Sequence, residues 1–151
     1  MIQLATSSGE VFSTGAATLR AWPAIDGERL SRVRLQVAIA GIVANAVIDT
    51  GGAYLVVDPQ LARKSRLHPP VHEDRIVIRG FVYRGMVHRV PVTLIADAGE
   101  SLQFEATAFV PELDEGEHWP LPSYLGWQGC LERIRLALDP GTERVYFGAL
   151  R

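Results

Sequence analysis

Val33, Leu35, Val37 and Ile39 alternate with Arg32, Arg34, Gln36 and Ala38, and after Ala40-Gly41 the chain runs apolar from Ile42 to Ile48. The first stretch has the period of a strand with one buried face. The second has the unbroken apolar character of a strand covered on both faces. Joined by a two-residue turn, the two commit the chain to a sheet-based fold. The second strand then runs into Asp49-Thr50-Gly51. An ionised carboxylate withdrawn from water loses several kcal/mol of solvation unless it is paired or hydrogen-bonded. Thr50 supplies a hydroxyl beside it, and Gly51 lets the backbone turn tightly against a neighbour. An aspartate before glycine also serves as an ordinary turn residue that caps its own backbone.

The remaining segments read mostly as strands. Tyr54 to Val57 is short and closes at Asp58-Pro59, where Pro59 opens a short helix through Arg63. Residues 64–74 are polar, carry Pro69-Pro70, and read as loop. Arg75 to Ile78, the glycine-bounded segment Gly80 to Gly85, and a strand from Met86 to Ile95 predict a hairpin with both glycines near its tip. Asp97 to Glu100 reads as a turn, Leu102 to Val110 as a strand, and Glu112 to Ser123 as an acidic, proline-punctuated loop. Leu125-Gly126 precedes a short helix expected over Gln128 to Arg133, and two last strands flank the turn at Asp139 to Thr142. The fold class is mainly β with one or two short helices. The order strand, small-residue turn, strand, glycine step occurs twice, around residues 33–51 and 90–126, which suggests an internal two-fold relation.

With 151 residues, the chain is long enough to bury a core without staples. A formal net charge of −2 and the absence of a basic run give no electrostatic case for a nucleic-acid partner or an anionic membrane. A single cysteine, Cys130, excludes an internal disulfide. No apolar window is long enough to cross a bilayer, and the first residues lack the pattern of a secretion signal, so a cytoplasmic location is expected. His68 and His72 have a metal-ligand spacing only on a helix, which Pro69-Pro70 opposes. No metal and no cofactor are expected, and Cys130 reads as a core residue.

Three segments carry a resemblance. Val47-Ile48-Asp49-Thr50-Gly51 is similar to the active-site loop of the retropepsin-like aspartic peptidases, which include the retroviral proteases. Tyr124-Leu125-Gly126 followed by Cys130 to Arg133 resembles that family's glycine step into a helix. Ile134 to Asp139 with Val145 to Gly148 resembles its terminal hairpin. The resemblance implies an acid-protease β-barrel over residues 30–151, with residues 1–29 an N-terminal extension or a strand region of the same domain. It implies an aspartic endopeptidase in which two carboxylates share one proton and activate water. The catalytic set would be Asp49, Thr50 and Gly51. Gly52, Ala53, Gly80, Phe81, Val82, Tyr83 and Gly85 would contact an extended peptide or protein substrate, the last five from a flap. Gly52 stands where family members usually carry Ala or Ser. With a single Asp-Thr-Gly per chain, the second carboxylate would come from another copy, in a symmetric homodimer. The alternative is a retropepsin-fold domain that binds peptides or dimerises without efficient catalysis. Gly80 to Gly85 equally fits a plain surface hairpin.

Overall fold

The computed structural model describes residues 4–22 and 32–150. The strands are β1 (Gly15–Thr18), β2 (Arg20–Trp22), β3 (Arg32–Ile39), β4 (Ile42–Ala53), β5 (Leu55–Val56), β6 (His72–Ile78), β7 (Phe81–Leu94), β8 (Ala98–Gly99), β9 (Leu102–Pro111), β10 (Ser123–Gln128), β11 (Ile134–Asp139) and β12 (Arg144–Ala149). One helix, α1 (Pro59–Ser65), and a single 3-10 turn, Leu131–Arg133, complete the described residues. The chain is mainly β, as the alternating patterns predict. The boundary expected at residue 30 lies outside the described residues.

The expected β3–β4 hairpin forms around Ala40-Gly41, both at positive φ (47° and 84°). That mirror-image turn matches the twist of the strands it joins. Leu35, Val37 and Ile39 are buried, as the alternation requires. An eight-stranded sheet runs β2-β3-β4-β10-β5-β9-β7-β6, and a further β3–β7 pairing joins its seventh strand to its second. The six strands β3, β4, β10, β5, β9 and β7 thereby close on themselves. A second sheet, β11-β12-β1-β8, ties the N-terminal segment to the terminal hairpin.

The internal two-fold relation is visible in the ladders. β4 lies parallel to β10, and β5 lies parallel to β9. β3 pairs antiparallel with β7, and β5 with β10. The unit β3–β4–β5 therefore corresponds to β7–β9–β10, each unit lending its last strand to the other. Two buried clusters fill the interior. One gathers Leu35, Val37, Leu55, Leu125 and Phe147; the other packs Val47, Tyr54, Ile76 and Phe109 beneath the β6–β7 hairpin.

Several boundaries differ from the sequence reading. The loop expected over 64–74 is shorter, because α1 extends to Ser65 and β6 begins at His72. Asp58 caps α1 by accepting from the Gln60 N–H at 2.8 Å, and Arg66 ends it in the left-handed region. The hairpin tip is the two-residue turn Arg79-Gly80, and β7 already starts at Phe81. Gly85 is consequently not at the tip. It lies buried within β7, where a Cβ would sit 2.3 Å from the Val110 carbonyl oxygen and 2.6 Å from the Phe109 ring. The expected turn at Asp97 to Glu100 contains β8, which pairs with β1. The helix expected from Gln128 shrinks to Leu131–Arg133, because Gln128 is still in β10 and its carbonyl accepts from the Tyr54 N–H.

Candidate active site

Asp49 sits where the β4–β10 ladder breaks. Ser123, Tyr124, Leu125 and Gly126 pair with Ala46, Val47, Ile48 and Asp49 in register, and pairing resumes with Gln128 opposite Ala53. Thr50, Gly51 and Gly52 thus stand where β10 has only Trp127. The expected glycine turn is a bulge in a strand that continues beyond it, a device that re-aims side chains. Gly126 makes the arrangement possible: a Cβ there would lie 2.1 Å from the Tyr54 carbonyl oxygen and 2.9 Å from the Gly52 carbonyl oxygen. Backbone bonds lock the junction on both sides, Gly126 N–H to Tyr54 O at 2.9 Å and Tyr54 N–H to Gln128 O at 3.1 Å.

The half-buried Asp49 carboxylate lies over its own bulge. Oδ1 accepts from the Gly51 N–H at 3.3 Å, and Oδ2 passes 2.8 Å from where a Cβ of residue 52 would be. Only glycine at 52 accommodates that rotamer without displacement.

Tyr54 follows the bulge with φ at 60°, the left-handed region, which costs a bulky residue ~1–3 kcal/mol. Its ring stacks on Phe109 at 6.4 Å, and its hydroxyl donates to Asp74 Oδ2 at 2.6 Å. The bond to Asp74, reinforced by burial and by the Asp74 charge, raises the phenol above its ordinary value. Conversely the Tyr54 hydroxyl, with the Arg75 backbone N–H and the nearby His72, lowers the Asp74 carboxyl.

A cleft of about 520 Å³ opens above Asp49. It is lined by Asp49, Gly51, Gly52 and Ala53 of β4, by Tyr54, Val56 and Tyr124, and by Asp74 to Arg79 of β6 and its turn. β6 ends the eight-stranded sheet, so its outer edge carries no strand among the described residues. An extended chain laid in the cleft has backbone donors and acceptors available along β6.

No family model and no curated protein matches the chain. Among solved structures it is similar to a retropepsin-like aspartic protease from Rickettsia conorii, with 14% sequence identity and a TM-score of 0.47, the match covering 88% of this chain and 97% of that one.

The structure brings together only part of the residue set expected from sequence. Asp49, Gly51, Gly52 and Ala53 share the cleft. Thr50 is exposed toward a separate groove with Trp127, Leu131, Ile134, Leu136 and Leu138. On the hairpin, Phe81 and Val82 are 68% and 65% exposed and do not line the cleft. Tyr83 packs edge-on against Trp119 at 5.2 Å, Gly80 forms the turn, and Gly85 is buried against β9. The hairpin residues that line the cleft are Asp74 to Arg79, on the preceding strand. Sequence reading missed them, and Tyr54 with them, although the apolar triplet Ile76-Val77-Ile78 signals a strand beside the glycine turn. His68 and His72 do not form a metal pair: His72 begins β6, and the His68 carbonyl meets His88 Nδ1 at 2.8 Å. Among the described residues, no group of three or more His, Cys, Asp or Glu is placed to hold a metal. Nor is any helix among them long and apolar enough to cross a membrane. Cys130 is fully buried, and burial pushes its thiol up to about 12 against the opposing charge of Arg133.

Proposed function

We propose that this chain is an aspartic endopeptidase whose active form is a homodimer, with the two Asp49 carboxylates sharing one proton across the two-fold axis. One observation carries the reading: Asp49 sits at the bulge between paired strands and lines the same cleft as β6, the edge strand of the sheet. An extended peptide paired with β6 would pass over Asp49. In the shared-proton pair, the ionised carboxylate takes a proton from water while the protonated one donates to the scissile carbonyl oxygen.

The other carboxylate in the cleft does not fit the protonated role. Asp74 is occupied by the Tyr54 hydroxyl and held below the ordinary carboxyl range, which favours its charged form. The second acid therefore comes from a second copy. Thr50, next to Asp49 in the chain, and the half-exposed Trp127 border a separate, largely apolar groove, which suits an approach of that copy beside Asp49. In that dimer Thr50 would brace the paired bulges, and Gly51 would permit their close approach.

The test is cleavage of an unstructured protein substrate by wild type and by Asp49→Asn, with oligomeric state measured in parallel. The peptidase reading expects cleavage to vanish in Asp49→Asn while the dimer persists. Undiminished cleavage refutes it.

A second reading is a peptide-binding or dimerisation domain without efficient catalysis. The observation favouring it is the Asp49 carboxylate turned back over Gly51 and Gly52. It expects peptide to bind in the cleft of wild type and Asp49→Asn alike, with no cleavage by either.

A further inference from the structure

Four restraints converge on Tyr54. Its N–H donates to Gln128 O, its carbonyl accepts from Gly126 N–H, its ring stacks on Phe109, and its hydroxyl donates to Asp74 at 2.6 Å. The first two belong to the bulge that carries Asp49, and the third to the core strand β9. The fourth is a directed bond to the β6–β7 hairpin, whose Ile76 also shares the buried cluster of Tyr54. It does so near the root: Asp74 pairs with Gly85, whereas the tip is Arg79-Gly80. At that root β7 crosses β9 closely, since Gly85 leaves room for the Phe109 ring and the Val110 carbonyl. Beyond the root the hairpin exposes Val77, Phe81 and Val82 by 65% or more. The hairpin is thus bonded to Tyr54 at its base, packed on the core through Ile76 and Tyr83, and exposed at its tip.

We propose that Tyr54 is a positioning residue that fastens the root of the β6–β7 hairpin to the Asp49 bulge through its bond to Asp74, and so fixes the height of β6 over the cleft. The left-handed backbone of Tyr54 is what turns its side chain away from the line of β4 and toward β6. The same residue that ends the bulge therefore sets the distance between the aspartate and the edge strand on which a peptide would lie. A substrate meets a β6 edge already placed, which lowers the ordering cost of binding. This inference rests on the peptidase reading for its catalytic consequence, and on geometry alone for the fastening itself.

The fastening is tested by amide hydrogen exchange of residues 72–85, referenced to β4 and β9, in the full chain. Tyr54→Phe keeps the ring on Phe109 and removes only the hydroxyl; Asp74→Ala removes the acceptor. A bond to a charged acceptor predicts about tenfold faster exchange in the hairpin for either variant, with no further gain in the double variant. Asp74→Asn, which retains an acceptor oxygen but not its charge, is expected to exchange at a rate between those of wild type and Asp74→Ala. Unchanged hairpin exchange in Tyr54→Phe, or additive loosening in the double variant, overturns the inference. On a peptide substrate, Tyr54→Phe is expected to raise KM by about tenfold while kcat falls less; a loss confined to kcat contradicts the positioning role. The exchange result does not depend on catalysis, so failure of the peptidase reading at Asp49→Asn is distinguishable from failure here.

Discussion

Gly126 faces Asp49 across the parallel β4–β10 ladder, and its missing side chain is what allows β10 to lie against the backbone beyond Asp49. A Cβ at 126 would meet the backbone of Tyr54, Ala53 and Gly52 at 2.1–2.9 Å. Backbone cannot yield as a side-chain tip can. Gly126→Ala is expected to destabilise the fold by ~1–3 kcal/mol, read from urea unfolding. It should also abolish peptide cleavage by displacing the bulge. Full stability in Gly126→Ala would contradict the tight ladder.

Gly52→Ala has a different expected outcome. The nearest atom to the new Cβ is the Asp49 Oδ2 at 2.8 Å, which a rotation about χ1 can move. The carboxylate is expected to leave the Gly51 N–H and turn off its own bulge, visible in a crystal structure of the variant. The energy involved is on the scale of a rotamer adjustment, ~0.5–1.5 kcal/mol, so kcat/KM is expected to change by less than about tenfold and upward. A drop of more than tenfold would mean that the folded-back rotamer is the working one.

Phe109 underlies both the bulge and the hairpin. It is fully buried, stacks on Tyr54 and packs beside Gly85. Phe109→Ala is expected to cost ~3–5 kcal/mol in chemical denaturation, at the upper end for core truncations. Loss of less than ~1 kcal/mol would show that this cluster does not hold the sheet together.

These residues mark what sequence could and could not display. The β3–β4 hairpin was legible because period-two burial and the turn Ala40-Gly41 are both local. The internal repeat was legible in outline for the same reason. The parallel contact of β10 with β4 joins segments 77 positions apart at Asp49 and Gly126, and pairing at that distance has no local signature. Tyr54 was legible only as a strand residue, since nothing in its type announces a φ of 60°. Gly85 misled by its type: glycine within an apolar run reads as a hairpin tip, while its actual role is close passage over Phe109 and Val110. The turn falls at Arg79-Gly80, so β6 and not the start of β7 lines the cleft, and residue type alone does not fix where such a turn falls.

The Tyr54–Asp74 bond carries a pH dependence with two limbs. Asp74 is lowered from its ordinary 3.8, so the stability it contributes is present above that value and lost as pH falls through its depressed one. Tyr54 is raised from 10.0, so its contribution is present below that value and lost as pH rises through its elevated one. Protection of the β6–β7 amides is expected to hold between these limits and fall beyond each. Glu73, Arg75, Arg84 and Glu112 also surround Asp74, and His72 acts on it through charge, so the informative quantity is wild type minus Tyr54→Phe. Identical protection profiles in the two would contradict the assignment.

The central claim, that two copies each supply one Asp49 to a single site, is tested most directly by mixing subunits. Wild-type chain is equilibrated with Asp49→Asn chain and the cleavage rate is followed per wild-type subunit. Random exchange into symmetric dimers predicts a fall to about half at an equal mixture and toward zero with a large excess of the variant. A rate per wild-type subunit that stays constant at every ratio would contradict a site built from two copies.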